Sequence, residues 1–171
     1  MKKLLIVVDY QKDFVDGSLG FPGAERLARP IQEKIEAYRA AGDEVVFTMD
    51  THGENYAQTQ EGRNLPVPHC MEESDGWQLY PPVRANPGER MFRKPAFGSA
   101  ELFDFLRANP YEEIELVGLV SSICVISNAV LAKTAQPETL VAVDTACTDG
   151  GDKALHEAAL QVMAGLQIQI R

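Results

Sequence analysis

The first apolar run of the chain, Leu4 to Val8, is unbroken for five residues and ends abruptly at Asp9. A strand with one wet face alternates apolar and polar residues. A strand covered on both faces does not, so this run predicts a buried parallel strand. Ala24 to Ala41 reads as a helix closed by Gly42, and Val45 to Met49 as a second strand. From Asp50 to about Glu89 the pattern breaks, and five of the ten prolines fall there (Pro66, Pro68, Pro81, Pro82 and Pro87). A long irregular stretch inside a compact domain is usually functional or disordered, and its Asp, His and Trp content favours function. Regularity returns with a short strand at Arg90–Arg93. A helix follows, capped by Ser99, running through Ala108 and stopped by Asn109-Pro110. A strand at Ile114–Leu119, a helix at Ser122–Ala135 and a strand at Leu140–Val143 come next. A helix capped by Asp152 and a last strand at Leu166–Ile170 complete the series. Strands alternating with helices predict a three-layer α/β/α, Rossmann-like domain with six mainly parallel strands, one domain over residues 1–171.

Composition narrows the function classes. Sixteen basic against 25 acidic residues leave a net charge of −9, which repels phosphate backbones and argues against nucleic acid as a partner. No apolar run approaches the roughly 18 residues that span a bilayer, so no membrane partner is expected. The opening Met-Lys-Lys-Leu-Leu resembles a signal peptide, but its apolar stretch ends at Asp9 after five residues and reads as a strand. Three cysteines (Cys70, Cys124 and Cys147) cannot all pair, and so few predict a reducing, cytoplasmic setting. A homo-oligomer stays open.

Ligands of open α/β sheets bind beyond the carboxyl ends of the strands. The unusual polar residues fall at such ends: Asp9, Asp50 and His52, Lys94, Cys124 and Asp144. Cys124 lies at a strand–turn–helix junction, where the helix N-terminus is expected to lower a thiol pKa and turn amides can hold an oxyanion. Position alone equally allows an ordinary buried cysteine. Asp9, following an apolar run, is expected to be poorly solvated, with a raised pKa suited to proton transfer, although a turn-capping carboxylate fits as well. Lys94 can pair with Asp9 and hold a thiolate, or simply be solvated. Asp50 and His52, two apart at a strand end, can face one ion, with His69 returning from the irregular segment. Two imidazoles and a carboxylate suit Zn²⁺, Fe²⁺ or Mn²⁺, with Glu61 or Glu54 as a fourth ligand; surface histidines are the alternative. His156, mid-helix, reads as a surface residue.

Taken in order, these segments resemble the isochorismatase-like cysteine hydrolases, and most closely their nicotinamidase branch. The resemblance rests on Asp9-Tyr-Gln-Lys-Asp13-Phe14, Gly17-Ser-Leu19, Asp50-Thr-His52, His69-Cys70 with Gly76-Trp77-Gln-Leu, Lys94-Pro-Ala-Phe97, and Gly118-Leu-Val-Ser-Ser-Ile-Cys124-Val. It implies the strand order 3-2-1-4-5-6, which sets strands one and four side by side and brings Asp9 to Cys124. It further implies a catalytic trio of Asp9, Lys94 and Cys124, an oxyanion hole from the Val120 and Cys124 amides, and a cis peptide that falls by position at Val120–Ser121. A substrate pocket of Phe14, Leu19, Val120 and Ser121 follows, as does a divalent metal, zinc before iron or manganese, on Asp50, His52, His69 and Glu61. The implied activity is hydrolysis of a small carboxamide, nicotinamide to nicotinate and ammonia. Thr51 and Pro68 stand where many members of the branch carry aromatic residues. The alternatives are a carbamoyl or ureido amide as substrate, isochorismatase chemistry, and a non-enzymatic binding domain with a reactive cysteine. The His/Asp trio speaks against the first, Cys124 against the second, and the presence of Asp9 and Lys94 against the third.

Overall fold

The computed structural model describes residues 1–171. Its six strands are β1 Lys3–Val8, β2 Glu44–Asp50, β3 Met91–Lys94, β4 Glu113–Leu119, β5 Leu140–Asp149 and β6 Gln169–Ile170. They form one sheet in the order β3-β2-β1-β4-β5-β6, with every pairing parallel, as expected from the sequence. The helices are α1 Lys12–Val15, α2 Ala28–Ala41, α3 Gln60–Asn64, α4 Ala100–Ala108, α5 Ile126–Ala135 and α6 Lys153–Gly165. None is long and apolar enough to cross a membrane.

Successive residues of a strand point to opposite faces, so β1 feeds two cores at once. Leu4, Ile6 and Val8 join the cluster under α4, α5 and α6, whereas Leu5 and Val7 join the one under α2. That explains why the Leu4–Val8 run has no polar position. The Ser99 and Asp152 side chains cap α4 and α6 as expected, accepting backbone N–H bonds from Leu102 and from Ala154 and Leu155.

Elsewhere the boundaries move. The predicted helix from Ala24 starts with a 3-10 turn, Ala24–Leu27, before α2 begins. β5 continues six residues past Val143: the register against β4 shifts between Leu116 and Gly118, exposing Thr145 and Ala146 before the ladder resumes at Thr148. That irregularity hid the strand's second half from a pattern reading. β6 keeps two residues of its predicted five, because Leu166 still caps α6 and Gln167 turns with φ +64°. Ser121–Val125, expected as plain helix, is wound as a π-turn, a form frequent at functional sites. The cis peptide lies between Leu119 and Val120, one bond earlier than the position assigned from the motif. Just before it, Gly118 has φ +112°, and a Cβ there would sit 2.0 Å from the Val8 carbonyl oxygen. Only glycine lets β4 pass this close to β1.

Candidate active site

The parallel register makes the site. Val8 of β1 lies level with Thr48 of β2 on one side and Gly118 of β4 on the other. The next residues on all three strands therefore emerge together at the carboxyl edge. Asp9 leaves the sheet with φ +43°, a left-handed backbone that Asp tolerates better than most residues, and its side chain is fully buried. Lys94, the last residue of β3 and 1% exposed, reaches across β2. Its Nζ lies 2.6 Å from Asp9 Oδ2, 3.5 Å from Cys124 Sγ and 3.0 Å from the Ala96 carbonyl. Sequence positions 9, 94 and 124 thus meet in one buried contact.

The charges in that contact constrain one another. Burial pushes the Asp9 carboxyl up, against the pull of the Lys94 ammonium. Lys94 is held above its usual value: burial alone would lower it, but Asp9, Cys124 and Asp50 outweigh that cost. The Cys124 thiol is pushed well up, by burial first and by Asp9 second. This reverses the expectation of a lowered thiol pKa. The helix-end field is a local effect of a few tenths to about 1 kcal/mol, and full desolvation beside a carboxylate exceeds it. Burial and the neighbouring carboxylate both favour the protonated sulfur, which a base in contact would have to deprotonate. Asp9 Oδ1 accepts a 2.6 Å hydrogen bond from Thr48 Oγ1, while Oδ2 faces the Lys94 ammonium.

Two residues of the opening motif that the sequence left without a role, Gln11 and Asp13, hold this edge. Gln11 is fully buried; its Nε2 donates to the carbonyls of Asp50 and Trp77, and its Oε1 accepts from the Asp50 N–H. Asp13 Oδ2 accepts the Cys70 N–H at 2.8 Å and so fixes the backbone next to His69. Gly76 packs on that carboxylate, and a Cβ there would lie 2.2 Å from Oδ2.

Asp50, His52, Glu61 and His69 converge beside the trio, with one ligand atom from each lying within 4.8 Å of the others. Asp50 Oδ2 is 3.0 Å from His52 Nε2 and 3.3 Å from His69 Nε2, and Glu61 Oε1 is 3.7 and 3.5 Å from the same two nitrogens. Ligands at ~2.1 Å around a tetrahedral ion stand about 3.4 Å apart, so these spacings fit a divalent metal with N and O donors. The His69 Nδ1–H bonds the Val67 carbonyl at 2.8 Å, leaving Nε2 for the ion. Asp50 is held well below the usual carboxylate range: burial opposes this, and the hydrogen bonds from His52 and His69 prevail. Glu54 stays outside this cluster, on an outer cleft with Glu72 and Glu73.

A narrow cavity of about 60 Å³ opens above Cys124 and the metal ligands. Phe14, Leu19 and Val120 line it, joined by Phe97 and Ile123, which the motifs contained without a pocket role, and by Leu65, which no motif marked. Ser121 does not line it: its side chain is fully buried and hydrogen-bonds His156 Nδ1 at 2.7 Å. That bond also corrects the reading of His156 as a surface residue. Asp144 is not at the site either, since β5 runs on past it and its carboxylate pairs with Lys34 of α2 at 2.7 Å. Cys70 and Cys147 are buried and free. A larger groove of about 730 Å³ between α2 and the 78–85 segment contains none of the candidate residues, so size does not mark the site.

The model of the isochorismatase domain family matches residues 3–170. The chain belongs to that family. It is 29% identical over 98% of its length to the nicotinamidase/pyrazinamidase of Mycobacterium tuberculosis, covering 97% of that protein. Among solved structures, the pyrazinamidase of Pyrococcus horikoshii in complex with zinc superposes with a TM-score of 0.88 at 26% identity, covering 100% of this chain and 99% of that one. The N-carbamoylsarcosine amidase of Thermoplasma acidophilum superposes at 0.82, also at 26% identity, covering 100% and 96%. Relatives of this kind make the protein a hydrolase of amides.

Proposed function

We propose that this isochorismatase-family protein hydrolyses nicotinamide to nicotinate and ammonia, with Cys124 as nucleophile. The observation that carries the reading is the buried contact of Asp9, Lys94 and Cys124 beside a four-ligand metal cluster, under a narrow, mostly apolar cavity. Asp9 takes the thiol proton, and the Lys94 ammonium stabilises the thiolate as it forms. The sulfur attacks the carboxamide carbon. The N–H groups of Val120 and Cys124 hold the resulting oxyanion. The tetrahedral adduct collapses, its C–N bond breaks, and Asp9 returns the proton to the departing ammonia. Asp9 then draws a proton from water, whose oxygen attacks the thioester; the C–S bond breaks, Asp9 gives that proton to the departing sulfur, and the acid leaves. Asp50, His52, Glu61 and His69 would hold a divalent ion, zinc in this reading, which would supply a Lewis-acid anchor for the pyridine nitrogen. Phe14, Leu19 and Val120 flank the ring. The net charge of −9, which repels phosphate backbones, fits a free small molecule as partner, and the few, unpaired cysteines fit the cytoplasm as setting.

The test is ammonia release from nicotinamide and pyrazinamide by metal-loaded protein, with Cys124→Ala as control. Release by the wild type alone is expected. Release from carbamoyl or ureido compounds but from neither aromatic amide would move the protein to the other amidase class.

A further inference from the structure

Asn128, in the first turn of α5, is fully buried and uses every polar atom of its side chain. Its Nδ2 donates to the Cys124 carbonyl at 2.8 Å and to the Phe97 carbonyl at 3.1 Å, and its Oδ1 accepts the Ser99 N–H at 3.0 Å. One amide therefore ties the turn that carries Cys124 to the loop that follows Lys94. The same loop is held at its other end by Lys94 itself, whose Nζ donates to the Ala96 carbonyl. Gly98 lets the loop approach α5, for a Cβ there would lie 2.8 Å from Leu131 Cδ1. Ser99 and Phe97 carry the consequence outward, since Ser99 caps α4 and Phe97 lines the cavity.

No other hydrogen bond joins residues 95–99 to the nucleophile turn or α5. Lys94 has a long, flexible stem, so the place of its ammonium against the sulfur depends on where the loop carbonyls stand. From this geometry we infer that Asn128 is a positioning residue: it sets the Lys94–Cys124 contact by clamping the 96–99 loop to the nucleophile turn. It touches neither the sulfur nor the cavity and acts through Lys94.

Two substitutions separate the clamp from simple support of the helix. Asn128→Asp keeps the shape and the Ser99 bond but turns both donated hydrogen bonds into repulsions. Asn128→Thr is too short for Phe97 yet can still bond back to the carbonyl four residues earlier, that of Cys124. The readouts are kcat and KM for ammonia release and the rate at which iodoacetamide alkylates Cys124. Clamping predicts that in both variants kcat and the alkylation rate fall by about 10- to 100-fold, with KM changed severalfold at most. It also predicts that Asn128→Thr added to Lys94→Met slows alkylation no further than Lys94→Met alone. If Asn128→Asp does not fold, Asn128→Thr alone decides. A folded Asn128→Thr whose alkylation rate stays within twofold of wild type overturns the inference, and so does full additivity with Lys94→Met. The inference rests on Cys124 as nucleophile, but alkylation needs no substrate. Failure of the nicotinamide reading therefore shows as absent ammonia with the alkylation pattern intact.

Discussion

Replacing Lys94 by Met removes the ammonium between two buried carboxylates and keeps most of the stem. The structure sets the scale. With an effective dielectric of about 20, Lys94 attracts Asp9 at 2.6 Å by about 6 kcal/mol and Asp50 at 3.7 Å by about 4–5 kcal/mol. Most of that gain offsets the cost of taking the charges out of water, and deleting one partner of such a pair costs about 3–5 kcal/mol net. Against a total stability of about 5–15 kcal/mol this is large but survivable. Asp9, already pushed up by burial, then takes a proton to escape an unpaired charge. A neutral Asp9 cannot receive the thiol proton, so kcat should fall by at least about 10³-fold. The double variant Asp9→Asn/Lys94→Met removes both charges from similar volumes and should recover at least about 2 kcal/mol over Lys94→Met while staying inactive. Urea unfolding of metal-loaded protein measures the stabilities, and ammonia release measures the turnover. The reasoning is refuted if Lys94→Met is within about 0.5 kcal/mol of wild type, or if the double variant is no more stable than the single. Turnover at the wild-type rate in Lys94→Met would remove the lysine from the chemistry.

Three further outcomes follow from the same geometry. Protein stripped by a chelator should melt at a lower temperature and regain the loss on binding one equivalent of Zn²⁺, with no regain in His69→Ala; calorimetry with metal analysis reads both. Ser121→Ala and His156→Ala should each cost about 1 kcal/mol, and the pair together no more than the worse single, because one hydrogen bond is lost either way. Asp144 is held low, its burial outweighed by its bond to Lys34, so its contribution is present above the unfolded carboxylate pKa near 4 and is lost as pH falls through the lower folded value. Asp144→Asn should therefore flatten the loss of stability below about pH 4 in acid-unfolding curves.

Much of this protein is written locally. An unbroken apolar run with an acid behind it marks β1 and Asp9, because a strand covered on both faces has no room for a polar side chain until it leaves the sheet. Ser99 and Asp152 mark helix starts, because a cap bonds N–H groups only two or three residues away. The metal ligands are legible in part, since Asp50 and His52 sit two apart on one strand end. What lay beyond reach depends on contacts between distant segments. Asp9 and Cys124, 115 positions apart, meet only through the β1–β4 register, which the resemblance implied and no local pattern carried. Asn128 and the Ser121–His156 pair are ordinary polar residues until burial leaves them only each other or the backbone as partners, and Gln11, present in the opening motif, has no role until its partners on Asp50 and Trp77 are in place. The state of the sulfur was decided there too. The local helix end argued for a thiolate, but desolvation depends on everything packed around an atom, and the fold buries Cys124 beside Asp9, which favours the protonated sulfur.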